Sequence, residues 1–208
     1  MRYDLTPQTR TLGYKLLTAT VTPRPIGWVT SVSSEGTVNA APYSFFNVMG
    51  DAPPIVALGI MGKPDGSLKD TARNILSAKD FVVNLVSRDL AEAMNLTCID
   101  APPDVSEIDL AKLETLPGAH VAAPRIARAP VSFECVMQQV VETGAVQRLL
   151  IGEVKAIHLA DACLLDPQRG HVDTAALDLI ARMHGAGWYA QARDLFELER
   201  PVYANETK

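Results

Sequence analysis

Three short segments hold the residue types from which a binding site can be assembled. The first is Ser67-Leu68-Lys69-Asp70-Thr71, just ahead of Arg73, Asn74 and Ile75. A phosphate needs unpaired backbone N–H groups, a hydroxyl donor and a cation. A helix N-terminus supplies the first, and Lys69 and Thr71 supply the other two. A plain helix cap, with Ser67 or Asp70 capping and Lys69 solvated, reads the same residues equally well. The second segment is Thr22-Pro23-Arg24-Pro25-Ile26-Gly27-Trp28-Val29-Thr30-Ser31. Its prolines stiffen the entry to a strand that ends in paired hydroxyls, a pair suited to the polar rim of a flat heteroaromatic ligand. A strand with one solvated face and Trp28 in the core fits as well. In the third, Asn39 to Val48, the aromatics Tyr43, Phe45 and Phe46 lie with Ser44 between Asn39 and Asn47. Small Ala40 and Ala41 let a ligand approach the backbone, and Phe45 or Phe46 can line a ring. A hydrophobic corner between strands is the alternative.

These segments must be held by strands above all. Ile26–Val32 is rich in β-branched and aromatic residues, and the Ser33-Ser34-Glu35-Gly36 turn lets Thr37–Ala41 return as its hairpin partner. Ile55–Met61 and Phe81–Val86 read as buried strands. Val131–Val141 and Leu149–Leu159 form a second hairpin about Thr143-Gly144-Ala145. Helices are expected over Asp70–Lys79, Asp89–Leu96 and Thr174–His184, the last with Ala176, Leu177, Ile180, Ala181 and His184 on one stripe and Gly185 as its stop. Between Cys98 and Pro130 the Pro- and Asp-rich chain reads as a surface excursion. Short strands without regular βαβ alternation predict a mainly β fold, an antiparallel barrel with α additions. The G-x-G-x-x-G turn of a Rossmann domain is absent.

Length and composition bound the functions available. At 208 residues, 48% hydrophobic and 21% charged, the chain has the make-up of one large globular domain, 1–208. Its barrel core is expected at about 20–160 and a C-terminal helix and tail at 161–208. Nineteen Lys and Arg against 24 Asp and Glu leave a net charge of −5, which disfavours a broad nucleic-acid surface. The apolar run Ile55–Met61 is too short to span a bilayer, and the first ten residues carry no secretory pattern, so no membrane role is expected. Cys98, Cys135 and Cys163 are widely spaced and show no metal-ligand spacing, which points to free thiols in the cytoplasm and to no metal site.

Taken in order, T-x-R-P-I-x-W-V-T-S, N-x-A-P-Y-S-F-F-N, P-P-I-V, K-D-T-x-x-N-I and F-V-V-N-L-V resemble the flavin reductase-like family. The resemblance runs from about Thr22 through Ile151-Gly152-Glu153-Val154 and on to the F-x-L-x-R-P segment around Phe196. It implies an FMN-binding split barrel that pairs as a homodimer. It also implies that Trp28, Val29, Thr30 and Ser31 run beside the isoalloxazine, with Thr30 or Ser31 near its N5. Ser44, Phe45, Phe46 and Asn47 would wrap its pyrimidine side and ribityl chain. Lys69, Asp70 and Thr71 would hold the phosphate, Asp70 through its N–H.

The activity implied is that of an FMN-dependent NAD(P)H:flavin oxidoreductase, moving hydride from a nicotinamide to flavin N5 and feeding a monooxygenase or another acceptor. Such chemistry asks the protein to stack two rings and exclude water rather than to supply a strong acid or base. Thr30 and His184 are the catalytic candidates. One stretch departs from the family: where its reductases often carry Gly-Asp-His, this chain has Gly144-Ala145-Val146. That departure favours a flavoredoxin-like electron carrier as the alternative. A barrel that binds a non-flavin ligand is a third reading.

Overall fold

A computed structural model of the protein describes residues 1–202. A helix, α1 (Arg10–Thr20), leads into the two-residue strand β1 (Arg24–Pro25) and then β2 (Gly27–Val32), β3 (Val38–Tyr43), β4 (Phe46–Asp51) and β5 (Pro54–Ile60). Helix α2 (Asp70–Ala78) precedes β6 (Asp80–Leu85), and α3 (Ala91–Leu96) and α4 (Glu107–Leu110) follow. The short pair β7 (Thr115–Leu116) and β8 (Arg125–Ile126) comes before the long hairpin β9 (Val131–Glu142) and β10 (Arg148–Leu159). Four short strands close the order: β11 (Leu164–Asp166), β12 (His171–Val172), β13 (Ile180–Arg182) and β14 (Tyr189–Gln191).

Seven strands form one antiparallel sheet in the order β3-β2-β6-β9-β10-β5-β4. The end strands β3 and β4 are consecutive in the chain, separated only by Ser44 and Phe45, yet they are not paired with each other. The sheet curls into a split barrel. Val29 on β2, Phe46 on β4, Leu58 on β5, Phe81 on β6 and Leu150 on β10 share one buried cluster. Gly27 permits this closure, because a Cβ there would lie 3.0 Å from the Phe46 ring. Side chains alternate across β2, so Trp28 falls into a second cluster with Leu90, Met94 and Ile108 on the barrel's outer side. With both faces covered, β2 has the near-continuous apolar run of a strand buried on both sides.

Buried polar groups tie loops to this frame. Glu134 on β9 is fully buried and accepts hydrogen bonds from the Ala119 and His120 amides, at 2.8 and 2.6 Å, and from the His158 ring. Burial pushes its carboxyl up, but those donors outweigh burial and hold it below the ordinary glutamate value.

Two elements differ from expectation. The helix expected over Thr174–His184 is absent. Thr174–Leu177 is a turn, and β13 pairs with β1, Arg24 opposite Arg182, and with β14. Asp178 has a left-handed φ of 44°, and the Ile180 amide donates to Val86 O at 3.0 Å, so long-range partners displace the helical stripe. No helix longer than a 3-10 turn occurs among described residues 161–202, which corrects the expected C-terminal helix. Conversely, α1 forms where no helix was expected. Among the described residues no helix is long and apolar enough to cross a membrane.

Candidate functional site

Two cavities share Pro42, Tyr43 and Cys98 in their linings, residues from the end of β3 and from the chain that follows α3. The smaller holds about 110 Å³ and the larger about 940 Å³.

The small cavity sits at the start of α2. Lys69 is the residue before the helix and makes no side-chain cap, so the first-turn amides have no side chain to receive them. Lys63, Lys69 and Thr71 line this cavity together with Asp70, Asp100 and Glu107. Each lysine is already paired: Lys63 Nζ lies 2.9 Å from Asp70 and Lys69 Nζ 3.1 Å from Asp100. Asp70 is also bonded to Arg73. Burial alone would raise the Asp70 carboxyl, but Lys63 and Arg73 hold it below the usual range. Thr71 Oγ1 accepts from Asn39 Nδ2 at 2.8 Å, which leaves its own proton to donate. Glu107 accepts from the Ala40 amide at 3.1 Å, and its burial raises its carboxyl.

The large cavity is walled by α1, the β3–β4 link and the chain after β13. Lys15, Arg24, Arg182 and His184 line it, and among the described residues no Asp or Glu does. In a chain of net charge −5 this is a local reversal of sign. Arg24 is buried and donates to Thr18 O, Val21 O and Met183 O at 2.6, 2.7 and 2.8 Å, so one guanidinium joins two walls. Burial, then the neighbouring Arg182, lower its basicity. Arg182 covers the Tyr189 ring at 4.8 Å, and His184 stacks on Trp188.

The candidates read from the sequence divide sharply. Lys69, Asp70 and Thr71 gather in the small cavity, while Ser44 and His184 line the large one. The side chains of Trp28, Val29, Thr30 and Ser31 are closed to solvent and line neither cavity. Trp28 Nε1 donates to Thr97 Oγ1, Thr30 Oγ1 donates to Pro124 O, and Ser31 Oγ accepts from Asn74. The hydroxyls expected at a ring edge are therefore satisfied inside the fold, because both faces of β2 are covered. Phe45 packs edge-on against Tyr14, Phe46 is barrel core, and Asn47 accepts a hydrogen bond from the Val48 amide. Lys63, Arg24, Tyr43 and α1 went unassigned as site residues. For Lys63 the only signal was its place between a buried strand and the helix start.

A family described as "Flavin reductase like domain" matches residues 19–175. The chain belongs to this flavin reductase-like family. An uncharacterized protein of Deinococcus radiodurans is 46% identical over 206 residues, which cover 97% of this chain and 90% of that one. Component B of nitrilotriacetate monooxygenase from Bacillus cereus superposes with a TM-score of 0.88 at 34% identity, covering 95% and 99% of the two chains. The 2-nitrobenzoate 2-nitroreductase NbaA of Pseudomonas fluorescens gives 0.86 at 30% identity, covering 99% and 100%.

A flavin implied by flavin reductase-like membership can be tested against the residues present. The donor set at α2 suits a phosphate, and the larger cavity has room for a ring system. Between them the Tyr43 hydroxyl is buried without a hydrogen-bond partner, as at a site shaped for a polar ligand. The residues fit the group.

Proposed function

We propose that this flavin reductase-like protein is an FMN-binding oxidoreductase that takes electrons from NAD(P)H. The observation that carries the reading is a phosphate-sized cavity with Lys63, Lys69 and Thr71 next to a larger one for rings, the two sharing Pro42, Tyr43 and Cys98 in their linings. FMN is favoured over FAD because the small cavity is ringed by Asp70, Asp100 and Glu107, which oppose a second phosphate. FMN supplies hydride acceptance at its N5 when bound. The chain's own part is to bind and orient. Lys63, Lys69, Thr71 and the first amides of α2 would hold the phosphate, and Arg24 keeps the two cavity walls in register. Lys15 and Arg182, unopposed by any lining carboxylate among the described residues, favour an anionic donor such as a nicotinamide dinucleotide.

A homodimer belongs to the same reading. Leu12, Tyr14 and Leu17 of α1 are exposed together with Phe45, Val48 and Met49 in and beside the end strand β4. Tyr14 and Phe45 touch, so the apolar surface of α1 and that of the β4 edge are continuous beside the large cavity. A second copy covering it would shut water from the ring site. The resemblance to a monooxygenase component makes a monooxygenase, or another acceptor, a reasonable recipient of the reduced flavin. The three cysteines are free, which suits work in a reducing cytoplasm.

A specific observation supports a flavoredoxin-like carrier as the second reading. In the Gly144-Ala145-Val146 turn, Val146 packs so closely on Gly62 that a Cβ there would lie 2.5 Å away. An apolar, occupied turn offers no acid or histidine to a nicotinamide. Anaerobic stopped-flow mixing with NADH and NADPH decides between the two. Bleaching of the flavin band at about 1 per second or faster, within the usual range of turnover, supports the reductase. Slower bleaching supports the carrier, and a colourless protein that takes up no FMN refutes both.

A further inference from the structure

We propose that Tyr43 is a phosphate-reading residue, whose hydroxyl donates to the anion held among Lys63, Lys69 and Thr71. This rests on the reading of the small cavity as an anion site and adds to it a side chain that the motif does not single out.

The hydroxyl's situation is unusual for this protein. Among the described residues only two buried side-chain polar atoms lack a hydrogen-bond partner, and Tyr43 Oη is one of them. Native structures seldom leave a buried hydroxyl unpaired without a compensating role. Tyr43 also lines both cavities, the one read as the phosphate end and the one read as the ring end. The Thr71 hydroxyl lies beside it without reaching hydrogen-bonding geometry. Asn39 occupies an acceptor position of Thr71, which leaves the Thr71 proton free. Two hydroxyl donors thus stand at one point with no acceptor between them, which an oxygen-rich anion supplies.

The protonation state agrees. Burial above all holds the phenol far above its ordinary value; the Thr71 hydroxyl, next in size, opposes it, and the carboxylates of Glu107, Asp70 and Asp100 then push it further up. Tyr43 is therefore a neutral donor at every working pH. A neutral donor lets the cavity recognise phosphate without adding a fixed charge that its three acids would have to offset.

Tyr43→Phe removes the hydroxyl and keeps the ring. Three measurements test the proposal: thermal unfolding of the ligand-free protein, calorimetric titration with FMN and riboflavin, and the rise in Tm with inorganic phosphate. The ligand-free variant should unfold at the same temperature as the wild type or higher, since an unpaired buried hydroxyl has been removed. Its FMN affinity should fall about tenfold, as for loss of one charge-assisted hydrogen bond, with riboflavin unchanged within about twofold. Stabilisation by inorganic phosphate should fall in step with FMN affinity. The proposal is overturned if FMN affinity is unchanged, if FMN and riboflavin weaken in parallel, or if the ligand-free Tm drops. A wild type that binds phosphate but no flavin refutes the flavin reading and leaves the phosphate arm to decide Tyr43. A wild type that binds neither refutes both.

Discussion

Replacing Asp100 by asparagine should tighten FMN binding, and the size of the gain follows from the geometry. In the ligand-free protein Asp100 holds Lys69 at 3.1 Å, with 68% of the Asp100 side chain and 35% of the Lys69 side chain exposed. An ion pair this open is worth about 0.2–1 kcal/mol. A phosphate that takes Lys69 must overcome that pairing and then face the displaced carboxylate. Two unit charges about 4 Å apart repel by about 1 kcal/mol in water. Removing both costs gives about 1–2 kcal/mol, roughly a five- to thirtyfold gain in affinity. Quenching of flavin fluorescence on titration measures it, at low salt and again at about 0.3 M, where screening should shrink the gain. Riboflavin, which lacks the phosphate, should bind Asp100→Asn as it binds the wild type. Lys69→Ala should weaken FMN alone, and adding Asp100→Asn to it should recover less than Asp100→Asn gains by itself. The reasoning is refuted if Asp100→Asn leaves FMN affinity unchanged or lower, or if riboflavin shares the gain.

Two further changes probe the frame that carries the site. Arg24→Met removes three hydrogen bonds to main-chain carbonyls from a buried guanidinium and should cost about 2–4 kcal/mol of stability. Because Met183 O is one of those acceptors, limited proteolysis near residue 183 should accelerate; an unchanged Tm and cleavage rate would count against the latch. The carboxyl of Glu134 lies below its ordinary value in the folded protein, so its contribution is present above the unfolded value, about 4.3, and is lost as pH falls through the folded one. The Tm gap between wild type and Glu134→Gln should therefore narrow as pH is lowered from 6 to about 3.5. A gap that stays constant or widens would contradict the assignment.

How much could be read in advance varied with the range of the interactions concerned. Strands β2, β5, β6, β9 and β10 were legible because each is an apolar run bounded by turn residues, a pattern that survives in any sheet. The start of α2 was legible as a helix, and the grouping of its amides with Lys69 and Thr71 was legible too, since these residues are adjacent in the chain. The C-terminal stripe misled. Its spacing suits a helix, but pairing with β1 supplied long-range hydrogen bonds that local propensity cannot anticipate. Helix α1 was missed because it packs lightly: only Gly13 of it is buried, so its residues bear little mark of a core.

The sequence alone determined the strand-rich class and the family through its ordered motifs, and it brought Lys69, Asp70 and Thr71 together at one helix start, all of which depend on near neighbours along the chain. Only the tertiary structure decided which motif residues face a cavity. Thr30 and Ser31 carry the right groups, but β2 is covered on both faces and Pro124 and Asn74 take up their hydroxyls. Tyr43, Lys63 and Arg24 acquire their places because the unpaired ends of the barrel bring β3, α1 and β13 together from distant parts of the chain. Residue type can be read from one position, whereas accessibility depends on which distant segments cover it.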